Sequence, residues 1–243
     1  MRIEINPQYD MMREWITALP TTFATQGEVI YDARNQIRVI DSPWGKVNVK
    51  RYCQPNLFNR FIYLVRRTKA ERAYRNAFRL RQYGIDTPET IGYILCNKGL
   101  IKESYLVTRQ MENREMLYML GDGKIEGRET MLDAFAKFAA KMHDCGVLHK
   151  DFSPGNILTQ QVDGEWQFAL VDINRIYFGK VGAQKGCRNF ARLWGTKALF
   201  EYIAPRYAQQ RHLSPTRCLH SMLKARSRFW RHRHPEKLFR YEL

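Results

Sequence analysis

Residues 46–52 alternate, Val47 and Val49 against Asn48 and Lys50, which is the period of a half-buried strand and puts Lys50 on the face opposite the valines. Ahead of it, 27–31 and 36–40 are β-rich runs joined by Asp32-Ala33-Arg34-Asn35, and Ser42-Pro43-Trp44-Gly45 turns the second into the third. The pattern predicts a three-strand antiparallel meander. From 68 to 83 the period changes: Ala70, Ala73, Ala77 and Leu80 recur at helical spacing, Glu71 stands near the start, and Gly84 and Pro88 close the run. Strands at 90–95 and 104–108 follow, around the turn Asn97-Lys98-Gly99. After Gly121-Asp122-Gly123 and Gly127 the helical period takes over, with Leu132, Phe135, Ala136, Ala139 and Met142 in a stretch that ends at Gly146. Met142 and Cys145 read as core positions, and 190–207 reads as one further helix. A strand-rich first half and a helix-rich second half predict an α+β chain.

The 243 residues, 44% of them hydrophobic, suffice to bury a sizeable core and exclude a peptide or a disordered chain. Residues 1–10 are polar and offer no apolar core of a secretory leader, and the longest aliphatic–aromatic run, 61–65, is too short to span a bilayer. The expectation is a cytoplasmic protein, soluble or peripheral at a membrane. Five scattered cysteines with no Cys-x-x-Cys pair support neither a disulfide framework nor a zinc site.

Charge changes the picture more. The formal net charge is +16, and two stretches hold all of it: 51–83 has nine bases against one acid, and 206–243 has ten against two. The remaining chain is neutral. Two local basic surfaces imply contact with a polyanion: nucleic acid, an anionic membrane or a phosphorylated substrate.

The chemistry concentrates in 147–158, Val-Leu-His-Lys-Asp-Phe-Ser-Pro-Gly-Asn-Ile-Leu, and in Val171-Asp172-Ile173-Asn174. Asn156 stands five residues after Asp151, and a strand, the hairpin turn Asp163-Gly164 and a second apolar strand then deliver Asp172. Phosphoryl transfer needs these groups in this order: an Asp to orient and deprotonate a hydroxyl, and an Asn with a second Asp to hold magnesium on a triphosphate. Magnesium prefers oxygen ligands and keeps several waters, so two protein ligands suffice. His149 reads as a hydrogen-bonding support beneath the loop rather than as a base.

At these residues the sequence resembles the protein-kinase-like superfamily. The resemblance implies a bilobal fold, an N-terminal antiparallel sheet lobe with one helix (27–111) and a mainly helical C-terminal lobe (112–210), with 211–243 as a basic aromatic tail. It implies Asp151 as catalytic base, Asn156 and Asp172 as Mg2+ ligands, Lys50 as the lysine on the α and β phosphates of ATP, and Glu71 as its partner. The order of these five residues over about 120 positions constrains the match more than any one of them. Glu71 is the single acid among nine bases, and Arg67, Arg72 and Arg75 are alternative partners on the same helix. Backbone groups of Gln110, Met111 and Glu112 are expected at adenine. No Gly-x-Gly-x-x-Gly precedes Lys50, so the Asp32–Asn35 hairpin turn, with Arg34, has to cover the phosphates. No Ala-Pro-Glu segment follows Asp172, which argues against a peptide substrate.

A closer resemblance is to the bacterial lipopolysaccharide kinases of the Kdo/heptose group. Val49-Lys50-Arg51-Tyr52, Lys69-Ala70-Glu71-Arg72-Ala73, Gly84-Ile85-Asp86-Thr87-Pro88, the catalytic loop and Val171-Asp172-Ile173-Asn174-Arg175 carry it. It implies transfer of the γ-phosphoryl of ATP to a sugar hydroxyl of an inner-core acceptor at the cytosolic face of the inner membrane; Asn174 and Arg175, by their place just beyond Asp172, are the expected acceptor contacts. The basic stretches would then meet the anionic saccharide and membrane, the aromatics of 223–233 and the run 61–65 dipping among head groups. Two rivals remain: a kinase of protein or of another small molecule, and an inactive kinase-fold scaffold binding nucleic acid or an acidic partner. RNA binding alone does not require Asp151, Asn156 and Asp172 together, which disfavours nucleic acid.

Overall fold

A computed structural model of the chain describes residues 1–53, 63, 66–98 and 100–234. The described residues of 1–82 and 87–112 form one compact unit, and those of 83–86 and 113–234 form a second.

The first unit is built on a six-stranded antiparallel sheet of β1 (Arg2–Ile5), β2 (Glu28–Asp32), β3 (Asn35–Ser42), β4 (Gly45–Tyr52), β5 (Thr90–Lys98) and β6 (Leu100–Arg109), in the order β1-β5-β6-β4-β3-β2. The expected meander is β2-β3-β4, and Lys50 pairs in register with Ile37 and Leu106. Residues 1–26, where no clear period marks an element, supply β1, a 3-10 turn (Pro7–Met12) and helix α1 (Arg13–Thr22). Met12, Ile16, Leu19 and Phe23 pack with Val47, Val49, Ile94, Tyr105 and Val107 into one core. Their four-three-four spacing is a helical stripe, which Pro20 and the neighbouring threonines disguise. Since the valines of β4 lie in this core, Lys50 is on the other face of the sheet.

Helix α2 (Lys69–Gln82) begins with a capping box: Thr68, itself buried, accepts from the Glu71 amide at 3.2 Å, with Glu at the third helical position. It packs on β5, where the Tyr74 and Tyr93 rings meet edge to face at 5.3 Å.

The second unit holds helices α3 (Glu129–Asp144), α4 (Ala183–Asn189), α5 (Lys197–Gln210) and α6 (Pro215–Arg233). A small sheet of β7 (Glu115–Met116), β9 (Ile157–Val162) and β10 (Glu165–Leu170) and a ribbon of β8 (Val147–His149) with β11 (Ile176–Phe178) complete it. Phe135 of α3 is the hub of its core, with Phe152, Phe168 and Phe190 each within 6.4 Å. Gly146 ends α3 at φ +72, where a Cβ would sit 2.9 Å from the Gly179 carbonyl, so the position requires glycine.

Three expectations need correction. The single helix over 190–207 is broken: a 3-10 turn (Phe190–Arg192) follows α4, Leu193 is extended, Gly195 takes φ +111, and α5 starts at Lys197. A side chain at Gly195 would strike Leu199 and the Leu120 carbonyl, so the segment is held in a form that no helix allows. Cys145 is only partly buried, although Met142 is fully so.

The third concerns the stretch read as a tail. Through Arg233 it is helix α6, which packs on α4 and α5 and buries Cys218, Met222, Arg226 and Trp230. Arg226 donates to the Gly195 carbonyl at 2.7 Å. Trp230 is 3% exposed and is not offered to head groups. Arg217, Lys224, Arg228 and Arg231 instead form an exposed cationic stripe opposite the buried face, at spacings of seven, four and three. Of 61–65 only Tyr63 is among the described residues, so the interfacial role expected for that run lies outside them. No described helix is long and apolar enough to cross a membrane.

Candidate active site

The reactive groups of the second unit stand on a strand-loop-hairpin-loop-strand path that folds back on itself. β8 leads into Asp151, the chain passes through a 3-10 turn (Pro154–Asn156) and the β9-β10 hairpin to Asp172, and β11 then pairs with β8, Ile176 opposite His149. The hairpin turns where expected, with Asp163 and Gly164 both at positive φ. Cross-links close the path. The Val171 amide donates to the Asn156 carbonyl at 3.0 Å, and the Lys150 amide to the Arg175 carbonyl at 3.3 Å. Phe152, fully buried against Phe135 and Phe190, anchors the residue next to Asp151.

Side chains lock the loop further. The Asn156 amide nitrogen donates to the Asp151 carbonyl at 2.9 Å and to Ser153 Oγ at 3.2 Å, which orients Asn156 Oδ1, a hard oxygen donor, away from those two contacts. Asp172 sits in the left-handed region at φ 51, ψ 42, and accepts from the Asn174 amide at 2.8 Å. A non-glycine residue held there marks a position fixed by its surroundings. An Asn carbonyl and an Asp carboxylate on one closed loop system suit a hard divalent cation completed by phosphate oxygens and water. Asn174 does not suit the acceptor role: it is 6% exposed and its amide is engaged by Asp172, so it supports the Asp172 carboxylate. Arg175 remains exposed.

Beneath the loop runs a polar chain whose hydrogens can be assigned by logic. The Asp151 amide can only donate, so His149 Nδ1, 3.1 Å away, is bare, and Nε2–H donates to the Val171 carbonyl at 3.0 Å. Asn189 donates its Nδ2 to the His149 carbonyl at 2.8 Å, so its Oδ1 accepts from His143 Nε2 at 3.0 Å. His143 Nδ1 then accepts from the Tyr207 hydroxyl at 2.8 Å, and that oxygen accepts from Arg211 Nη1 at 2.6 Å. Both histidines are neutral. Burial pushes His149 below its ordinary range, and pushes His143 down to about 4, a shift that the nearby Arg211 charge reinforces. His149 thus serves as the support that its position suggests.

The other expected residues lie in the first unit. Lys50, partly buried, holds its ammonium 5.3 Å from the Tyr52 ring centre. Glu71 is buried, and its Oε1 lies 3.4 Å from both Arg67 and Arg75, two of the alternative partners. Arg34 is exposed on the β2-β3 turn. The Gln110 amide donates to the Lys46 carbonyl at 3.0 Å, so that group does not meet adenine, and the Gln110 side chain accepts from Asn48.

Sequence reasoning missed Arg192. Its Nη1 lies 2.6 Å from Asp151 Oδ1, with each side chain about a third exposed. It also missed Asn189, His143 and Tyr207. Trp194-Gly195-Thr196 was the available signal: a glycine followed by a potential N-cap inside an apparent helix marks a break, and a break can carry functional side chains.

Comparison with known proteins identifies the family. The model of the lipopolysaccharide kinase (Kdo/WaaP) family matches residues 36–200. A 3-deoxy-D-manno-octulosonic acid kinase of Actinobacillus succinogenes is 27% identical over 156 residues, which are 62% of this chain and 59% of that protein. The structure of WaaP in complex with acyl carrier protein superposes with a TM-score of 0.64 at 17% identity, over 98% of this chain and all of that one. That likeness is one of fold.

Proposed function

The chain belongs to the lipopolysaccharide kinase (Kdo/WaaP) family, and from that premise we propose that it transfers the γ-phosphoryl group of ATP to a hydroxyl of a Kdo or heptose unit of the lipopolysaccharide inner core. The observation that carries this reading is the closed loop system joining Asp151, Asn156 and Asp172. In it Asp151 orients the acceptor hydroxyl and takes its proton as the phosphoryl group leaves ATP. Asn156 and Asp172 would hold magnesium, which when bound neutralises charge on the phosphates. Lys50 holds the α and β phosphates, Glu71 positions Lys50, Arg34 covers the phosphates, and the backbone of Met111 and Glu112 with the Gln110 carbonyl meets adenine. Arg175 contacts the acceptor.

The test is magnesium-dependent phosphate transfer from ATP to purified Kdo-terminated lipid A. The wild type should phosphorylate the sugar, and Lys50→Met should lose about 10²-fold in kcat/KM for ATP, the cost of removing one charged donor from a phosphate site. A wild type that hydrolyses ATP yet phosphorylates no core saccharide would sink the acceptor assignment.

The acceptor's setting gives the basic stretches a role. We propose that the outward stripe of α6 draws the protein to an anionic membrane by charge alone, since the aromatic residues of that helix face inward or are partly covered. Each Lys or Arg near such a surface contributes about 1 kcal/mol. An Arg217→Ser, Lys224→Ser, Arg231→Ser variant of the full chain should therefore bind phosphatidylserine vesicles about 10²-fold more weakly at low salt. Equal co-sedimentation of variant and wild type removes the stripe from the account.

A further inference from the structure

Residues 189–195 grip the catalytic loop from the side. Asn189 holds the His149 carbonyl, and three residues later Arg192 reaches the Asp151 carboxylate. Buried Phe190 and Leu193 pin the segment on either side of Arg192. Helix α6 clamps it at two further points: Arg226 donates to the Gly195 carbonyl, and the Phe229 ring lies 4.9 Å from the Arg192 guanidinium carbon. Phe229 in turn rests edge to face on the buried Trp230 at 5.3 Å.

We propose that Arg192 is a positioning residue for Asp151, and that Phe229 holds Arg192 for that purpose, so that helix α6 is part of the catalytic apparatus. The inference rests on the reading of Asp151 as the base. As a stabilising ion pair the contact is worth little, because both side chains are about a third exposed and water screens the charges. As an orienting contact it has a clear consequence. A carboxylate has two oxygens, and a guanidinium on Oδ1 sets the side-chain rotamer and leaves Oδ2 to receive a hydroxyl. In a loose phosphoryl-transfer transition state the base is asked to orient the nucleophile before it is asked to remove a proton. A cation on the far oxygen therefore contributes geometry at the stage where orientation is what the reaction needs.

The experiment compares kcat and KM of wild type, Arg192→Ala, Arg192→Lys, Phe229→Leu and Asp151→Ala, with ATP, magnesium and Kdo-terminated lipid A. Arg192→Ala should lose about 10²-fold in kcat, the scale of a misplaced catalytic group, with KM for ATP changed by less than about twofold. Added guanidinium ion should restore about tenfold of that loss, and Arg192→Lys should fall between. A merely structural arginine shows neither the rescue nor the split between kcat and KM. Phe229→Leu should cost about threefold to tenfold, and the double variant Arg192→Ala, Phe229→Leu should be no slower than Arg192→Ala, because the ring acts through the guanidinium. If Asp151→Ala is inactive while Arg192→Ala keeps or raises kcat, the positioning role is wrong and the base stands. An undiminished Asp151→Ala removes the base and with it anything for Arg192 to position.

Discussion

Asp151→Asn lowers kcat for phosphate transfer by about 10³-fold, the scale of a lost general base, while the fold and ATP binding persist. The variant is informative because the loop is not built on the carboxylate. The Asp151 amide is held by His149 and its carbonyl by Asn156, and Phe152 anchors the next residue in the core. Those contacts are indifferent to the side chain at 151. What the substitution removes is the charge facing Arg192 and the oxygen able to take a proton. Steady-state kinetics together with circular dichroism and titration with an ATP analogue check it. A kcat within a few-fold of wild type would mean that another group deprotonates the acceptor.

Acidification from pH 7 towards 4 destabilises the second unit by about 3 kcal/mol through His143 alone. In the folded chain its pKa is about 4 against an ordinary 6.5. The unfolded chain therefore binds a proton below about 6.5 that the folded chain refuses until about 4, and stability is lost as pH falls through that window. The physical cause is burial, with Nδ1 accepting from Tyr207 and a cationic Arg211 two bonds further along the chain of contacts. Buried His149, lowered for the same reason, acts in the same direction. Urea unfolding at pH 7.5, 6, 5 and 4.5 measures the slope. His143→Gln, which cannot titrate, should be less stable at neutral pH yet lose about 1.4 kcal/mol less per pH unit near pH 5. Equal slopes in the two proteins exclude His143 as the titrating group.

Helix α6 illustrates what charge counting alone can and cannot say. Its bases looked uniform in the sequence, yet Arg226 is as buried as the core phenylalanines and bonds a backbone carbonyl, whereas Arg217, Lys224, Arg228 and Arg231 form the outward stripe. Likewise Asn174 reads in sequence as a polar side chain beside the metal Asp, free to contact substrate. Burial and a hydrogen bond to Asp172 assign it to the framework instead.

The amino-acid sequence by itself determined whatever depends on neighbours a few positions apart. The alternation that sets Lys50 against the valines, the helical spacing of Ala70, Ala73, Ala77 and Leu80, the hairpin at Asp163-Gly164 and the spacing of Asp151 from Asn156 are all of this kind, because strand period, helix period and turn geometry are local properties of the backbone. Tertiary structure decided the partners. Arg192 lies 41 residues from Asp151, Asn189 lies 40 from His149, and Tyr207 lies 64 from His143. No period links such pairs. Which arginine of many meets the Asp151 carboxylate, and which histidine is stripped of water and kept neutral, follows only from how the helices pack, since desolvation and hydrogen-bond geometry exist only once the segments have been brought together.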